Sequence, residues 1–253
     1  MALPLPGMAP EPDAPAGDTY GAALVRADGA TRDRVVAVLR DIRFTGWVAE
    51  PDGGWIAAIA DPAGGTVAEG GRGVLEVAAV LAERLATTGF AVRVRLDRQL
   101  VLGAWTGADE LGRYSSDPSR EPGADEEVLA EPYGAEHADA FAEAAGRPDA
   151  AGKLAEALEE ELDTDSVYES ERLALVLDLL GMPRWLVASA ALPRDIPTGP
   201  QARELLRLHA GASGVAGRVR GAFTAMVRRR MAPPPALAEP PRADDLGIDP
   251  WLL

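Results

Sequence analysis

Four short stretches of this chain gather side chains from which chemistry can be built, and each also has an ordinary structural reading. Arg113-Tyr114-Ser115-Ser116-Asp117 closes a predicted strand with five groups able to hydrogen-bond, so Arg113, Tyr114 and Asp117 form the candidate polar site of an enzyme. No histidine stands nearby in sequence to activate either serine, and a strand leaving through a Ser-Asp-Pro turn uses the same residues. Gly70-Gly71-Arg72-Gly73 precedes a predicted helix, where backbone amides and the helix dipole would hold an anion with Arg72 as counter-charge. The stretch matches neither G-x-G-x-x-G nor the P-loop, and a plain turn needs the same glycines. Glu136, His137 and Asp139 offer a ligand or base, but they face different sides of a helix, and acids suit its first turn. From Glu156 to Glu171 eight acidic residues occur without a basic one. Asp163 and Asp165 open a calcium-loop spacing that fails at Val167, Tyr168 and Ala174, so solvated helix faces account for the run.

Two C-terminal stretches differ in kind. Over Val215–Met231, Val215, Val219, Phe223, Met226 and Val227 fall on one helical face. Arg218, Arg220, Arg228, Arg229 and Arg230 add five positive charges without an acid, which suits anionic lipid, nucleic acid, or an acidic protein surface, this chain's own acidic run included. Gly211, Gly214, Gly217 and Gly221 weaken the first half of that helix. A spacer containing Pro233, Pro234, Pro235, Pro240 and Pro241 follows, and the chain ends with Leu246, Ile248, Trp251, Leu252 and Leu253 among Asp244, Asp245 and Asp249. Five apolar anchors in an acidic peptide predict a docking segment for a protein partner, with fold-back onto the chain's own body as the competing reading.

Composition limits what these stretches can do. With no cysteine there is no disulfide, thiolate metal site or cysteine nucleophile, and two histidines leave little for zinc or a Ser-His pair. No cofactor and no metal are expected. A net charge of -15 opposes phosphate backbones, so nucleic acid is an unlikely partner on charge alone. No uncharged apolar run reaches the ~18 residues of a membrane span, and no charged-then-apolar leader opens the sequence, so the cytoplasm is the expected compartment.

These candidates need elements to hold them. Residues 1–30 open with five prolines before Ala16 and predict disorder. Val35, Val38, Leu39 and Ile42 predict a helix, and Trp47–Glu50 with Trp55–Ala60 a hairpin turned by Pro51-Asp52-Gly53-Gly54. Thr66–Ala68 reads as a short strand. Val74–Thr88 predicts a helix capped by Gly89, followed by strands over Phe90–Leu96, Leu100–Trp105 and Glu110–Ser115. Helix, glycine, aromatic, strand, turn, strand thus occurs twice, which suggests an internal α-β-β repeat. Two helices over an antiparallel sheet make 31–118 a two-layer α+β sandwich.

Residues 119–134 read as a linker, and 135–210 as a helical module. The module's helices are 136–145, 150–162, one opened by a Ser166–Glu169 capping box, 184–192 and 201–210. The element order of 31–118 resembles that of the small acidic dimeric chaperones of type III secretion systems, with no shared sequence motif, and fold alone does not carry function. The functional expectation is a non-enzymatic protein-binding adaptor or chaperone-like protein that engages its partner in part through the C-terminal tail. An enzyme centred on Arg113, Tyr114 and Asp117, and surface attachment to membrane through the basic helix, are the alternatives.

Overall fold

Residues 20–26, 55–60 and 99–106 are written largely in small and apolar residues without polar alternation, the pattern of strands covered on both faces. In the computed structural model, which describes residues 17–61, 65–121, 123–125, 128–160 and 168–213, that is what they are. Strand β1 (Tyr20–Arg26) leads to helix α1 (Arg32–Asp41), the hairpin β2 (Gly46–Val48) and β3 (Trp55–Ala60), and helix α2 (Val74–Leu85). An antiparallel meander follows, β4 (Thr88–Arg95), β5 (Gln99–Thr106) and β6 (Asp109–Ser115). Helices α3 (Ala138–Ala144), α4 (Ala151–Glu159) and α5 (Glu169–Leu180), a 3-10 helix at Arg184–Ala191 and strand β7 (Leu206–Leu208) complete the described chain. All seven strands join one antiparallel sheet in the order β6-β5-β4-β1-β3-β2-β7. The expected α+β class with an antiparallel sheet is therefore present.

Both faces of the sheet are buried. On one, Ala23, Val25, Ile56, Ala58, Ala91 and Val101 meet α1 and α2 through Val35, Leu39, Val77, Ala78 and Leu81. On the other, Tyr20, Trp47, Trp55, Phe90, Val92 and Tyr114 meet α3, α4 and α5 through Phe141, Leu154, Leu158, Leu173 and Leu177. Trp55 and Phe90 contact edge to face at 5.5 Å, and Phe90 and Phe141 at 6.2 Å, so an aromatic column crosses from sheet to helices. The helical module is thus a third layer on the sheet. Residues from the expected linker also touch it: Glu121 accepts two hydrogen bonds from Arg93, and Tyr133 pairs its backbone with Ser115.

Six expectations are corrected. Residues 20–26, expected as disorder, form the central strand, because Gly21-Ala22-Ala23-Leu24-Val25 fits between two helical layers at low volume. Gln201–Ala210 is not a helix: Leu206 and Leu208 face the α1–α2 core while Arg207 lies over the Trp47 ring at 4.6 Å, a strand alternation three residues long. Gly89 caps nothing. It sits in β4 where an added Cβ would lie 3.0 Å from the Ala82 Cβ and 3.2 Å from the Ala78 carbonyl, so it lets α2 lie close on the sheet, and α2 ends instead at left-handed Ala86. The capping box also fails, since Glu169 is the first residue of α5 and Ser166 lies outside the described residues. Thr66–Ala68 makes only a bridge, Ala68 to Arg72. The two α-β-β units do not occupy equivalent places, because β1 adjoins the second strand of the first unit, β3, and the first strand of the second, β4.

Candidate functional site

The sequence candidates are dispersed rather than converged. Neighbouring strand residues point to opposite faces, so Arg113 is exposed and pairs with Glu110 at 3.0 Å, while Tyr114 is fully buried in the aromatic core. Asp117 caps the following 3-10 turn through the Ser119 amide at 3.1 Å and pairs with Arg120 at 2.6 Å. Arg72 donates to the carbonyl of Glu69 in its own turn, and the free amide of Gly73 at the start of α2 is already taken by the Glu76 carboxylate at 2.9 Å. An anion would have to displace that carboxylate. His137 packs against Phe141, with ring centroids 6.1 Å apart. Among the described residues no group of three or more His, Asp or Glu side chains could hold a metal ion, and no helix is long and apolar enough to cross a membrane. Arg218, Arg220, Arg228, Arg229 and Arg230, and Leu246, Ile248, Trp251, Leu252 and Leu253, lie outside the described residues.

What the structure does bring together is a buried polar seam under the start of α5. Arg172, 5% exposed, donates to the Tyr114 hydroxyl and to the carbonyls of Leu158 and Glu160. Its Nε stands 3.5 Å from Oε2 of Glu169, which is 4% exposed, but neither atom has a hydrogen-bond partner. Burial pushes the Glu169 carboxyl above its ordinary value; a hydrogen bond from Ser116 and the Arg172 charge pull the other way and lose. Burial likewise pushes the Tyr114 phenol up to about 12, with the Arg172 charge again the opposing influence. The Tyr20 phenol is raised further, chiefly by burial, and donates to Ser170 at 2.7 Å. Asp97, at the left-handed turn between β4 and β5, then caps α5: its carboxylate accepts from the Ser170 amide at 2.8 Å and hydroxyl at 2.7 Å, and its carbonyl from the Glu169 amide at 3.3 Å. A turn of the sheet thus replaces the local capping box.

The perturbed groups of the seam line neither of two openings formed by the described residues. A half-open cavity of about 390 Å³ is lined by Ala49, Pro51, Asp52, Trp185, Pro200 and Glu204, among others. The Trp185 indole donates to Asp52 at 2.9 Å. Glu50, on the same wall, is paired with Arg32, whereas Asp52 and Glu204 are in no ion pair among the described residues. A second, shallower groove of about 430 Å³ runs between α4 and α5, lined by Lys153, Glu156, Ala157, Glu160, Leu175 and Leu179. Leu175 there is 48% exposed. Neither opening was visible in the sequence. Asp52 reads as a hairpin turn residue, and Trp185 as a helix-packing aromatic; only the i, i+3 pair Glu169 and Arg172, beside the apolar face of Leu173 and Val176, carried a readable signal for the seam.

Comparison of the chain with protein-family models, with curated proteins and with solved structures gives no match.

Proposed function

We propose that this protein is a non-enzymatic protein-binding adaptor, chaperone-like in the sense of holding a polypeptide partner, with one contact on the folded body and another in the C-terminal tail. The observation that carries the reading is the separation of reactivity from access. Enzyme sites join titratable groups of shifted pKa to a cavity that admits substrate. Here the groups raised by burial, Glu169, Tyr114 and Tyr20, are enclosed in the seam, and none of them lines the open cavity at Trp185. That cavity instead suits a basic side chain of a partner peptide, since it offers the carboxylates of Asp52 and Glu204, neither spent on an internal cation among the described residues, beside an indole and two prolines. The tail adds Leu246, Ile248, Trp251, Leu252 and Leu253 as apolar anchors beyond a proline-rich spacer. Dispersal of Arg113, Tyr114 and Asp117 leaves the enzyme reading without a shared site.

The test is a pulldown from native extract with the full chain, Trp251→Ala and Asp52→Asn. Each substitution is expected to deplete a partner while the melting temperature stays within a degree or so, because neither changes the described core. Retention of every partner by both variants, or a several-degree loss of melting temperature in Trp251→Ala, overturns the proposal; the latter outcome means the tail folds back.

A further inference from the structure

We infer that two copies of this chain pair face to face through the α4–α5 groove, about a two-fold axis that lays each α4 antiparallel on the other. Two properties of the surface carry this. The first is an apolar stripe along α5: Leu175 is 48% exposed, Leu179 lines the groove beside it, and Tyr168, seven positions and about two turns before Leu175, is 52% exposed. The second is opposite charge at the two ends of α4, with Lys153 near its start, Glu160 at its C-cap and the small side chain of Ala157 between them on the same wall. Lys153 is the one lysine of the chain, and it, Glu156 and Glu160 are in no ion pair among the described residues.

Within one copy these charges cannot meet. Seven residues of helix (160 − 153) hold Lys153 and Glu160 about 10 Å apart along the axis. An antiparallel copy removes the separation. With the two-fold axis crossing α4 at 156–157, midway between the two positions, Lys153 of each copy faces Glu160 of the other, and Glu156 lies one turn away within reach of the same ammonium. The second helix agrees with this placement. Arg172, near the start of α5, donates to the carbonyls of Leu158 and Glu160 at the end of α4, so α5 runs back along α4. Moving the same three to four residues from that end brings the axis over 175–176, where Leu175 meets its own symmetry mate. The apolar contact therefore sits at the axis with an ion pair on either side, the self-complementary patch that an isologous contact requires. Helices of 9 and 12 residues are about 14 and 18 Å long and pack about 10 Å apart, so two copies bury on the order of 700 Å² together, the area of a weak association. The net charge of -15 on each copy opposes the pairing at long range, but at ~0.15 M salt that repulsion is screened beyond about 8 Å and the charges in contact decide. This inference does not depend on the adaptor reading, since the surface is separate from the Trp185 cavity.

Sedimentation equilibrium of the full chain in ~0.15 M salt, over concentrations up to about 1 mM, reads the association. The average mass of the wild-type chain is expected to rise from one chain toward two. Lys153→Glu and Glu160→Lys should each weaken association by about tenfold or more, because the two-fold axis makes every reversed contact occur twice, and Leu175→Asp should do the same. All three positions are exposed, so the variants keep the fold. Mixed in equal amounts, the two charge variants should associate with each other at wild-type strength, since both reversed contacts then meet opposite charge. A wild-type chain that stays monomeric at every concentration overturns the inference, whatever else covers the groove. So does association that Leu175→Asp leaves intact, which places the contact on another surface. A mixture no stronger than its two components also overturns it, because residues 153 and 160 then do not face each other.

Discussion

The two faces of the sheet are covered in different chemical languages. Against α1 and α2 the contacts are among Val, Ala, Leu and Ile, with Phe44 and Trp105 as the large aromatics and no buried ion pair among the described residues. Against α3–α5 the sheet presents Tyr20, Trp47, Trp55, Phe90 and Tyr114, and a charged guanidinium and a carboxyl are buried with them. The first face holds its helices by area, which is indifferent to direction. The second adds directional bonds: Arg172 ties α5 to β6 and to the carbonyls of Leu158 and Glu160, and Asp97 fixes where α5 starts. Short helices α3 and α4, of 7 and 9 residues, have little area of their own, so a polar latch that fixes position is worth its desolvation cost there.

That contrast predicts unequal responses to substitution. The largest effect is expected for Arg172→Ala, which leaves Glu169 buried without a cation and the Tyr114 hydroxyl without its donor; a loss of about 3–5 kcal/mol in urea unfolding is expected. Replacing the pair with Arg172→Met and Glu169→Leu should recover most of it, because an apolar pair avoids desolvation. Next comes Val77→Ala on the other face, expected to cost about 2 kcal/mol through lost burial and the cavity left behind. If Arg172→Ala costs no more than Val77→Ala, the latch is ordinary packing and the contrast collapses.

Alkali separates the faces without any change to the area-held one. Tyr114 has its folded pKa raised to about 12 and Tyr20 is raised as well, so above the ordinary phenol range the unfolded chain ionises first. The unfolded state then binds fewer protons, and stability, full below about pH 10, falls as pH rises toward 12, by up to about 1.4 kcal/mol per pH unit per phenol. Tyr114→Phe should make that fall shallower in pH-dependent urea titrations; an unchanged slope between pH 10 and 12 contradicts the burial assigned to the phenol. The smallest effect is expected for Trp185→Phe, which removes the indole bond to Asp52 at about 1 kcal/mol and tests whether the cavity wall is part of the latch.

The α1–α2 half was legible because its signals are local. Val35 and Leu39 repeat at helical spacing, the Pro51–Gly54 turn joins two apolar runs, and Val92 and Val94 alternate with Arg93 and Arg95. β1 was hidden for the opposite reason: a strand buried on both faces shows no alternation, and its Gly21-Ala22-Ala23 core follows a proline-rich stretch that reads as disorder. The seam could not be read because its members are far apart in sequence. Asp97 reaches Ser170 across 73 positions and Tyr114 reaches Arg172 across 58, and no spacing rule links residues so distant. β7 is three residues long, below the length at which period 2 can be told from period 3.6.

The central place of β1 bears on how the chain is made. Ala22 is registered with Ile59 and with Val92, which lie 37 (59 − 22) and 70 (92 − 22) positions later. A ribosome adding 5–20 residues per second therefore leaves the middle of the sheet with both edges open for roughly 2–7 s, and with one edge open until roughly 4–14 s, when its second neighbour exists. A strand of valine and isoleucine exposed that long would recruit other nascent chains. Gly21, Ala22 and Ala23 present little for them to grip, so the residues that let two helical layers close on β1 in the finished protein also keep it quiet while it waits.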